Sequence, residues 1–286
     1  MSSISVIIPA FNAQETLSYQ LQAVADQEFD GTLEVIVADN LSTDRTRDIA
    51  QSFLKRFSDL KVVDASRGQG ASHARNAGAA QATSDHLAFC DADDLVAPGW
   101  LNALSRALDS SDFVTGSIDH DSLNVGSGLT HWRSHVEGLP VALHFLPYAL
   151  SGNMGVSKAA FEEVGGFPED MRSVGEDVAF SWQMQLAGYD LSFEPAAVVA
   201  YRHRHSLTDL WNQHVAFGIA DVTLYKRFRD EGVPKPRFRS VLASYLRLLR
   251  KLPWFLRRDR RPSAVRSWAK RWGRLRGSIR EGVVYL

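Results

Sequence analysis

Strand-like and helix-like segments alternate along the first 90 residues of the chain. Four short runs rich in β-branched and other apolar residues are typical of buried strands, and they cover residues 4–9, 33–38, 60–64 and 86–90. The segments between them favour helices and cover about 15–27, 45–57 and 71–82. This order predicts an α/β fold, with a Rossmann-like, mostly parallel sheet and helices on both faces.

A loop or turn follows each predicted strand. The loops cover residues 9–12, 39–44, 67–70 and 91–94. The carboxyl ends of parallel strands lie at one edge of a sheet, and ligands bind just beyond that edge. We therefore expect the four loops to form one binding site.

The segment Asp91-Ala92-Asp93 ends the fourth predicted strand and places two carboxylates two residues apart. Carboxylate oxygens suit hard cations such as Mg²⁺ and Mn²⁺, which often bind substrate phosphates as well. Taken alone, the segment also fits a solvated acidic turn that caps the predicted helix near Trp100. The wider sequence favours the cation.

Five segments resemble, in order and in spacing, the motifs of the family 2 glycosyltransferases of the GT-A fold. They are the opening strand and loop at 5–12, the second strand and acidic loop at 35–44, the Ala-Arg-Asn-x-Gly helix at 74–78, the acidic segment at 89–94, and the acceptor-side motif at 165–169 and 175–177. The resemblance covers about residues 4–225. It implies an inverting transfer of sugar from a nucleotide-diphosphate donor, in cell-envelope or other glycan biosynthesis.

The resemblance implies that the loops after the strands bind the donor. Asp39 would accept a hydrogen bond from the base imide of a uridine or thymidine, which favours a UDP-sugar. Arg75 would neutralise the diphosphate or orient the acidic loop. Asp93 would bind Mn²⁺ or Mg²⁺, and Asp91 would contact ribose or the metal. The other donor contacts that it implies are Pro9, Phe11, Asn12, Arg67 and Ala92.

Structural alternatives exist for three of the polar residues in these loops and helices. Asp39 and Asp44 can each cap a helix, and we predict that Asp44 is structural. Arg75 can instead form an ion pair on the surface of its helix.

On the acceptor side, the resemblance points to Asp177 as general base and to Glu176 as the residue that positions the acceptor. Asp177 would deprotonate the acceptor hydroxyl as its oxygen attacks the anomeric carbon in a single, inverting displacement. Both carboxylates also lie at the start of a helix predicted from about Val178, where the helix dipole favours negative charge without any catalytic role. Asn153 would bond a sugar hydroxyl or occupy a turn.

The resemblance also implies a third protein ligand for the metal or the phosphate, commonly a histidine. We predict His203, with His205 as the alternative if the motif slips by two residues. Imidazole can join carboxylates around Mn²⁺. Arg202 and Arg204 would then contact phosphate, and a surface position is the alternative for either histidine.

Positive charge is concentrated at the carboxyl end. Residues 226–286 contain 19 basic and 4 acidic side chains, whereas residues 1–225 contain 13 and 29. We therefore predict a catalytic domain at 1–225, with a nucleotide-binding half at about 1–115 and an acceptor half at 116–225, and a basic helical extension at 226–286.

The amphipathic helices of this extension either lie on an anionic membrane surface or pack on the catalytic domain. No nucleic-acid-binding module accompanies the basic residues, so we do not expect nucleic acid as a partner.

The sequence also favours one cellular compartment. Cys90 is the only cysteine, which fits a reducing compartment. The amino-terminal residues do not resemble a signal peptide, and no apolar run approaches the roughly 20 residues that span a bilayer. We therefore expect a cytoplasmic protein, with the inner membrane face as the site of any peripheral contact.

Two other functions fit parts of the sequence. A sugar nucleotidyltransferase shares the α/β architecture, but the Gly-rich phosphate loop with a lysine near the amino terminus is absent. A non-catalytic, membrane-associated scaffold would have no use for Asp91, Asp93 and Asp177. The absence of Gln-x-x-Arg-Trp argues against a processive synthase and for the addition of one sugar to a glycan, lipid-linked or small-molecule acceptor.

Overall fold

A computed structural model describes residues 2–124, 138–171, 174–204 and 206–286. Its strands are β1 (Ser3–Ala10), β2 (Thr32–Asp39), β3 (Leu60–Asp64), β4 (His86–Phe89), β5 (Leu95–Val96), β6 (Phe113–Asp119), β7 (Met154–Ser157) and β8 (Leu191–Ala200). Its α-helices are α1 (Leu17–Ala25), α2 (Thr46–Ser52), α3 (Ala71–Ala79), α4 (Trp100–Leu108), α5 (Lys158–Glu163), α6 (Glu176–Leu186), α7 (Leu207–Phe228), α8 (Phe238–Leu249) and α9 (Arg261–Glu281). Short 3₁₀ helices are present at Arg229–Glu231 and Leu252–Leu256.

The strands form one sheet in the order β3-β2-β1-β4-β7-β6-β8-β5. β1 lies between β2 and β4 and is parallel to both, and β3 extends this parallel half. β7 is antiparallel to β4 and β6, β5 is antiparallel to β8, and β6 and β8 are parallel. The predicted α/β fold with its parallel core is confirmed, and the antiparallel pairs lie in the half where the sequence pattern is less regular.

Alternate side chains of β1 point to opposite faces of the sheet, as the pleat of a strand requires. Val6 and Ile8 join a core with side chains of α1 and α4, whereas Ile7 joins a core with side chains of α3, α5 and α6. All three are fully buried. Burial on both faces explains why this strand is a continuous apolar run, and it bears out the prediction of helices on both faces.

Several predicted helix boundaries differ from those of the structure. The helix expected at 45–57 ends at Ser52, and Phe53 and Phe57 pack against the core from the turns that follow. The helix expected from about Val178 begins at Glu176, because Gly175, with a φ of 89°, turns the chain directly into it.

The carboxyl-terminal extension is joined to the rest of the chain through α7 and α9. Gly218 of α7 and Gly273 of α9 lie where the two helices cross, and a Cβ added to Gly218 would come within 2.2 Å of the carbonyl oxygen of Lys270. The two helices therefore touch backbone to backbone, which requires glycine. α9 thus packs on the part of the chain predicted to be the catalytic domain, which is one of the two arrangements that the sequence allows. Pro262 lies in the first turn of α9, where proline is tolerated, and does not break the helix.

In α8, by contrast, several apolar side chains remain exposed. Leu242, Leu246 and Leu249 are exposed by 51%, 55% and 53%. Across the described ranges, no helix combines the length and the apolar character needed to cross a bilayer.

Candidate active site

A cleft of about 2220 Å³ opens at the carboxyl ends of β1, β2 and β4. The loops that follow these strands line one part of it, as the parallel order predicts, and side chains of α6, α7, α8 and α9 line the rest. The predicted site residues that line it are Pro9, Phe11, Asn12, Arg75, Asp91, Ala92, Asp93, Glu176, Asp177 and His203.

Three neighbouring carboxylates form an acidic cluster just after β4. One ligand oxygen from each of Asp91, Asp93 and Asp94 lies within 4.8 Å of the other two. Burial raises the pKa of Asp94 well above its ordinary value, and the charges of Asp91 and Asp93 raise it further. Burial and the charge of Asp91 likewise raise the pKa of Asp93. Three carboxylate oxygens at this separation are a donor set that suits Mg²⁺ or Mn²⁺.

Asp94 was not singled out as a ligand from the sequence, although it adjoins the predicted pair. It is 2% exposed and accepts a hydrogen bond from the backbone N–H of Arg202 at 2.8 Å. The sequence does show three acidic residues among four at this point. Their spacing along the chain, however, does not reveal which of their side chains converge on one place.

Arg75 connects the acidic cluster to the amino end of α6. Its Nη2 lies 2.6 Å from Asp91 Oδ1, and its Nη1 lies 3.1 Å from Glu176 Oε1, with the arginine side chain only 3% exposed. Burial alone would lower the pKa of Arg75, but the charges of Asp91 and Glu176 outweigh it and raise that pKa. Arg75 is therefore a buried ionic centre, and the surface ion pair considered from the sequence is wrong.

The loops after β1 and β2 hold each other by hydrogen bonds. The side-chain oxygen of Asn12, whose φ is 47°, accepts from the N–H of Thr43 at 2.8 Å, and the N–H of Asn12 donates to Ser42 Oγ at 3.0 Å. Phe11 is 61% exposed at the mouth of the cleft. This loop pair presents an exposed aromatic ring and backbone groups to the cleft.

The two predicted aspartates of the second loop differ in their surroundings. Asp44 accepts hydrogen bonds from the N–H of Thr46 at 2.9 Å and of Gln14 at 3.1 Å, which confirms that it is structural. Asp39 ends β2, is 7% exposed, and accepts from the N–H of Ser42 at 3.4 Å. Its contact with a nucleotide base stays a prediction.

Asn40, next to Asp39, was missed by the sequence reasoning. Its side-chain oxygen accepts from the N–H of Gly70 at 2.9 Å, and its amide nitrogen donates to the carbonyls of Ala65 and Gly68 at 2.5 and 2.8 Å. It lines the cleft and fixes the loop that leads into α3.

Three predicted site residues do not line the cleft: Asp39, Asn153 and Arg67. Asn153 is fully buried: its oxygen accepts from Trp100 Nε1, and its amide nitrogen donates to the carbonyls of Ser117 and Ala197, all at 2.8 Å. These bonds occupy the amide within the core, so the predicted sugar contact is not supported. Arg67 is exposed on the loop after β3, outside the cleft lining, so its predicted phosphate contact is not supported either.

Asp177 lies at the start of α6 and is partly buried in the cleft. Burial, with the charge of Glu176 as the next cause, raises its pKa to about 7. One of its oxygens accepts from the N–H of Val178 at 2.8 Å. This carboxyl is therefore close to its protonation midpoint at neutral pH.

Glu176 has a different environment from the one predicted. Its carboxylate is bound by Arg75, and its Oε2 is buried without a hydrogen-bond partner in the described part of the chain. It is placed to hold the arginine, and the predicted direct positioning of an acceptor is not supported.

His203 lines the cleft but is not part of the acidic cluster. Its ring stacks on His120 with ring centroids 5.1 Å apart, and its backbone N–H donates to the side-chain oxygen of Asn124 at 2.8 Å. Among the residues that the structure describes, the group within ligand distance contains Asp94 instead of His203. The alternative ligand, His205, lies outside the described residues.

The two predicted phosphate-binding arginines both reach the acidic segment. Arg202 Nε donates to the carbonyl of Asp93 at 2.8 Å, and Arg204 Nη1 lies 3.6 Å from Asp93 Oδ2. Cations therefore border the cluster on which a diphosphate would lie, although their contact with phosphate stays a prediction.

Sequence comparison identifies the family. The model of Glycosyl transferase family 2 matches residues 5–165, and that of Glycosyl transferase family group 2 matches residues 86–257. The chain is similar to Glycosyltransferase AglE from Haloferax volcanii, with 31% identity over 194 residues, which are 66% of this chain and 64% of AglE. It spans about half the length of other curated relatives, 49% to 53%.

The fold is similar to that of solved glycosyltransferases. Mannosyltransferase PcManGT from Pyrobaculum calidifontis, in complex with GDP-Man and Mn²⁺, has a TM-score of 0.65 at 19% identity over 96% of this chain and 86% of its own. S. aureus TarS 1-349, in complex with UDP, has a TM-score of 0.57 at 20% identity over 99% of this chain and 92% of its own. At these identities the likeness concerns the fold. With a family model matching more than half of its 286 residues, the chain belongs to the family 2 glycosyltransferases and has their GT-A fold.

Proposed function

We propose that this chain is a metal-dependent, inverting glycosyltransferase that moves one sugar from a nucleotide-diphosphate sugar to an acceptor hydroxyl. One observation supports this most directly: a single cleft contains a three-carboxylate cluster and a separate, partly buried carboxylate, Asp177. The first suits the charged donor and the second suits proton removal from the acceptor. Arg75 and Glu176 link the two through buried ion pairs.

The donor diphosphate would lie at the acidic cluster. Asp91, Asp93 and Asp94 would hold Mn²⁺ or Mg²⁺, and the bound cation would offset the charge on the departing diphosphate. The nucleotide would lie against the loops after β1 and β2, with the base imide donating to Asp39. This bond favours a UDP-sugar.

Asp177 would act as the general base. It would take the proton of the acceptor hydroxyl while that oxygen forms a bond to the anomeric carbon and the bond from this carbon to the donor phosphate breaks. The nucleoside diphosphate leaves with the bonding electrons, and the configuration at the anomeric carbon inverts. A pKa of about 7 lets the carboxylate form at neutral pH while remaining basic enough to accept a proton.

The test combines nucleotide binding with turnover. Thermal shift with UDP and Mn²⁺ measures binding, and release of UDP from a panel of UDP-sugars measures turnover, including slow transfer to water. We expect Asp93→Asn to lose both. Asp177→Asn should keep UDP binding and lose about 10² to 10⁴ in rate, the usual contribution of a general base. Asp230→Asn, at an 87% exposed side chain, is the control and should change neither.

Three outcomes would oppose the proposal. If no nucleoside diphosphate stabilised the protein in the presence of Mn²⁺, the proposed donor site would be wrong. Pyrophosphate release from a nucleoside triphosphate and a sugar phosphate would identify a sugar nucleotidyltransferase. Tight nucleotide binding without turnover on any acceptor would identify a scaffold.

We also propose that α8 and the 3₁₀ helix after it lie on an anionic membrane surface. Five leucines that recur at helical spacing in the sequence are 49% to 86% exposed: Leu242, Leu246, Leu249, Leu252 and Leu256. Basic residues such as Arg250 and Arg257 lie among them in the sequence. Exposed apolar area and positive charge together favour the interface of an anionic bilayer. Residues 226–286 would then form a membrane-facing extension of a catalytic domain at 1–225.

Co-sedimentation with vesicles tests this contact. The chain should bind phosphatidylglycerol vesicles more strongly than phosphatidylcholine vesicles, and Leu246→Ser with Leu249→Ser should release it. Leu186→Ser, at a 45% exposed leucine of α6, is the matched control. Equal vesicle binding by the double variant and the unaltered chain would contradict the proposal.

A further inference from the structure

The cleft continues beyond Asp177 to the carboxyl-terminal helices. Five cationic side chains line this part: Arg247 of α8, and Arg266, Lys270, Arg271 and Arg274 of α9. We call these five residues the basic end. The acidic cluster lies in another part of the same cleft, at the edge of the sheet. The acidic cluster and the basic end are therefore two separate groups of charges within one cleft.

One carboxylate contacts two cations of the basic end. Asp221 of α7 lies 2.8 Å from Arg274 Nη2 and 3.1 Å from Lys270 Nζ. Arg271 stacks over the ring of Tyr245, 5.6 Å from its centroid, and its Nη1 is buried with no hydrogen-bond partner in the described ranges. Asp221 can balance the charge of at most one of the two cations that it contacts.

The pKa values of two arginines of the basic end are lowered. Burial lowers the pKa of Arg266, and burial together with the charge of Arg274 lowers the pKa of Arg271. Cations held close together in a partly desolvated cleft favour the binding of an anion, which would relieve their repulsion and supply the missing acceptors.

Tyr148 connects the basic end with the candidate base. It lines the cleft, and burial followed by the charges of Asp177 and Asp221 raises its pKa to about 12. The start of α6 also contacts α7 beside Asp221, because a Cβ added to Gly175, two residues before Asp177, would lie 3.0 Å from the Cβ of Ala220. The basic end therefore adjoins the place where the acceptor hydroxyl would lose its proton, which assigns it to the acceptor and not to the donor.

The contact between α7 and α9 fixes the position of these cations. A Cβ added to Gly218 would meet the carbonyl oxygen of Lys270 at 2.2 Å and the backbone nitrogen of Arg274 at 2.7 Å. The backbone of both basic residues is thus in direct contact with α7. The charged side chains project from a rigid helix crossing, which is a suitable base for a binding site.

We propose that the basic end binds a phosphate group of the acceptor, so that the acceptor of this glycosyltransferase is a phosphate ester with a free hydroxyl close to Asp177. This inference rests on the proposed function, because it names the acceptor class for the same cleft. A phosphate matches several converging arginines better than a carboxylate does, since it offers more oxygens and more negative charge to their donors.

Two kinds of molecule carry this chemistry, a phosphate lipid and a soluble phosphate ester. The experiment measures binding by calorimetry with UDP and Mn²⁺ present, so that the donor part of the cleft is filled. Farnesyl phosphate is the lipid probe and glycerol 3-phosphate the soluble one, with farnesol and glycerol as their neutral counterparts.

Arg271→Gln and Arg247→Gln remove one cation each, from two different helices. Arg276→Gln is the matched control, because it makes the same change at an exposed position of α9 outside the cleft lining. Thermal melting without ligand establishes that each variant is folded.

We expect at least one phosphate probe to bind and both neutral probes to fail. Each cleft variant should weaken binding by about tenfold, the loss of one charge-assisted contact, and Arg276→Gln should leave it unchanged. Binding of the farnesyl probe alone identifies a lipid acceptor, and binding of the glycerol probe identifies a soluble one.

The inference is overturned if neither phosphate probe binds, or if Arg271→Gln and Arg247→Gln bind as tightly as the unaltered chain. The proposed function fails separately, by an absence of UDP binding with Mn²⁺. In that case the phosphate probes are titrated without nucleotide, and the same variants still decide whether the basic end is an anion site.

Discussion

Arg75 and Glu176 lie 101 residues apart in the chain, yet the guanidinium Nη1 of the first is 3.1 Å from the carboxylate Oε1 of the second. The arginine comes from α3, in the part of the chain proposed to bind the nucleotide, and the glutamate opens α6, in the part proposed to bind the acceptor. A second ion pair joins the same guanidinium to Asp91 of the acidic cluster. A single buried cation therefore couples the two halves of the proposed active site.

Removal of this cation should destabilise the protein strongly. In Arg75→Met, Glu176 and Asp91 would keep their charges without a partner, and breaking such a buried pair costs about 3–5 kcal/mol of unfolding free energy. Urea denaturation measures this loss. The control, Arg56→Met, breaks a pair whose side chains are 54% and 55% exposed and should change stability little. The double variant Arg75→Met/Glu176→Met should recover part of the loss, and equal losses for Arg75→Met and Arg56→Met would contradict the coupling.

The rate of sugar transfer should depend on the protonation of Asp177. Its pKa of about 7 lies far above the ordinary 3.8, so the carboxylate needed for proton removal forms only as the pH approaches neutrality. We expect kcat/KM, which reports the pKa of the free enzyme, to rise with pH with a midpoint near 7, measured as UDP release between pH 5 and 9. A midpoint below pH 5 would mean that another group limits the reaction.

The same carboxyl should also affect stability in a pH-dependent way. Because its folded-state pKa is raised, the folded protein binds more protons than the unfolded chain between pH values of about 4 and 7. The stability that comes with a protonated Asp177 is therefore fully present below pH 3.8. It is lost as the pH rises through 7, because the buried carboxyl must then ionise. Asp177→Asn, which stays neutral, should be more stable than the unaltered chain by roughly 1–3 kcal/mol at pH 8. The difference should vanish near pH 4 in metal-free denaturation experiments.

Asp94 should matter for metal affinity although the sequence did not mark it as a ligand. Asp94→Asn keeps an oxygen for the N–H of Arg202 but removes one of three charges from the cluster. We expect Mn²⁺ binding, followed by electron paramagnetic resonance, to weaken by at least about tenfold, the lower end of what outer-shell changes cause. Asp64→Asn, at an exposed carboxylate on the end of β3, should bind Mn²⁺ normally. Unchanged affinity in Asp94→Asn would exclude it as a ligand.

A methyl group added at Gly273, where α7 and α9 cross, should lower the stability of the protein. A Cβ there would lie 2.1 Å from the carbonyl oxygen of Val215, so Gly273→Ala should lower the unfolding free energy by about 1–3 kcal/mol despite the better helix propensity of alanine. Gly277→Ala, whose Cβ would meet Val222 at 3.0 Å, is the graded control and should cost less. Thermal unfolding of the two variants measures the difference. Equal Tm values would mean that the helices separate without cost.

The sequence by itself determined the parallel core, its two helical layers and the edge at which the site forms. These follow from local chemistry: runs of β-branched residues specify buried strands, and the parallel order brings the loops after β1, β2 and β4 to one edge. Asp91 and Asp93 were located at this edge in this way, whereas Asp177 was identified from the resemblance to the family 2 glycosyltransferases, and all three line one cleft.

Only the tertiary structure decided where several side chains point. Asn153 is turned into the core by Trp100, and Asp94 completes the acidic cluster where His203 was expected. The packing of α9 on α7 depends on the meeting of Gly218 and Gly273, which brings the basic residues into the cleft. Contacts between residues so distant in the chain leave no periodic pattern in the sequence, because they depend on how whole helices and strands pack in three dimensions.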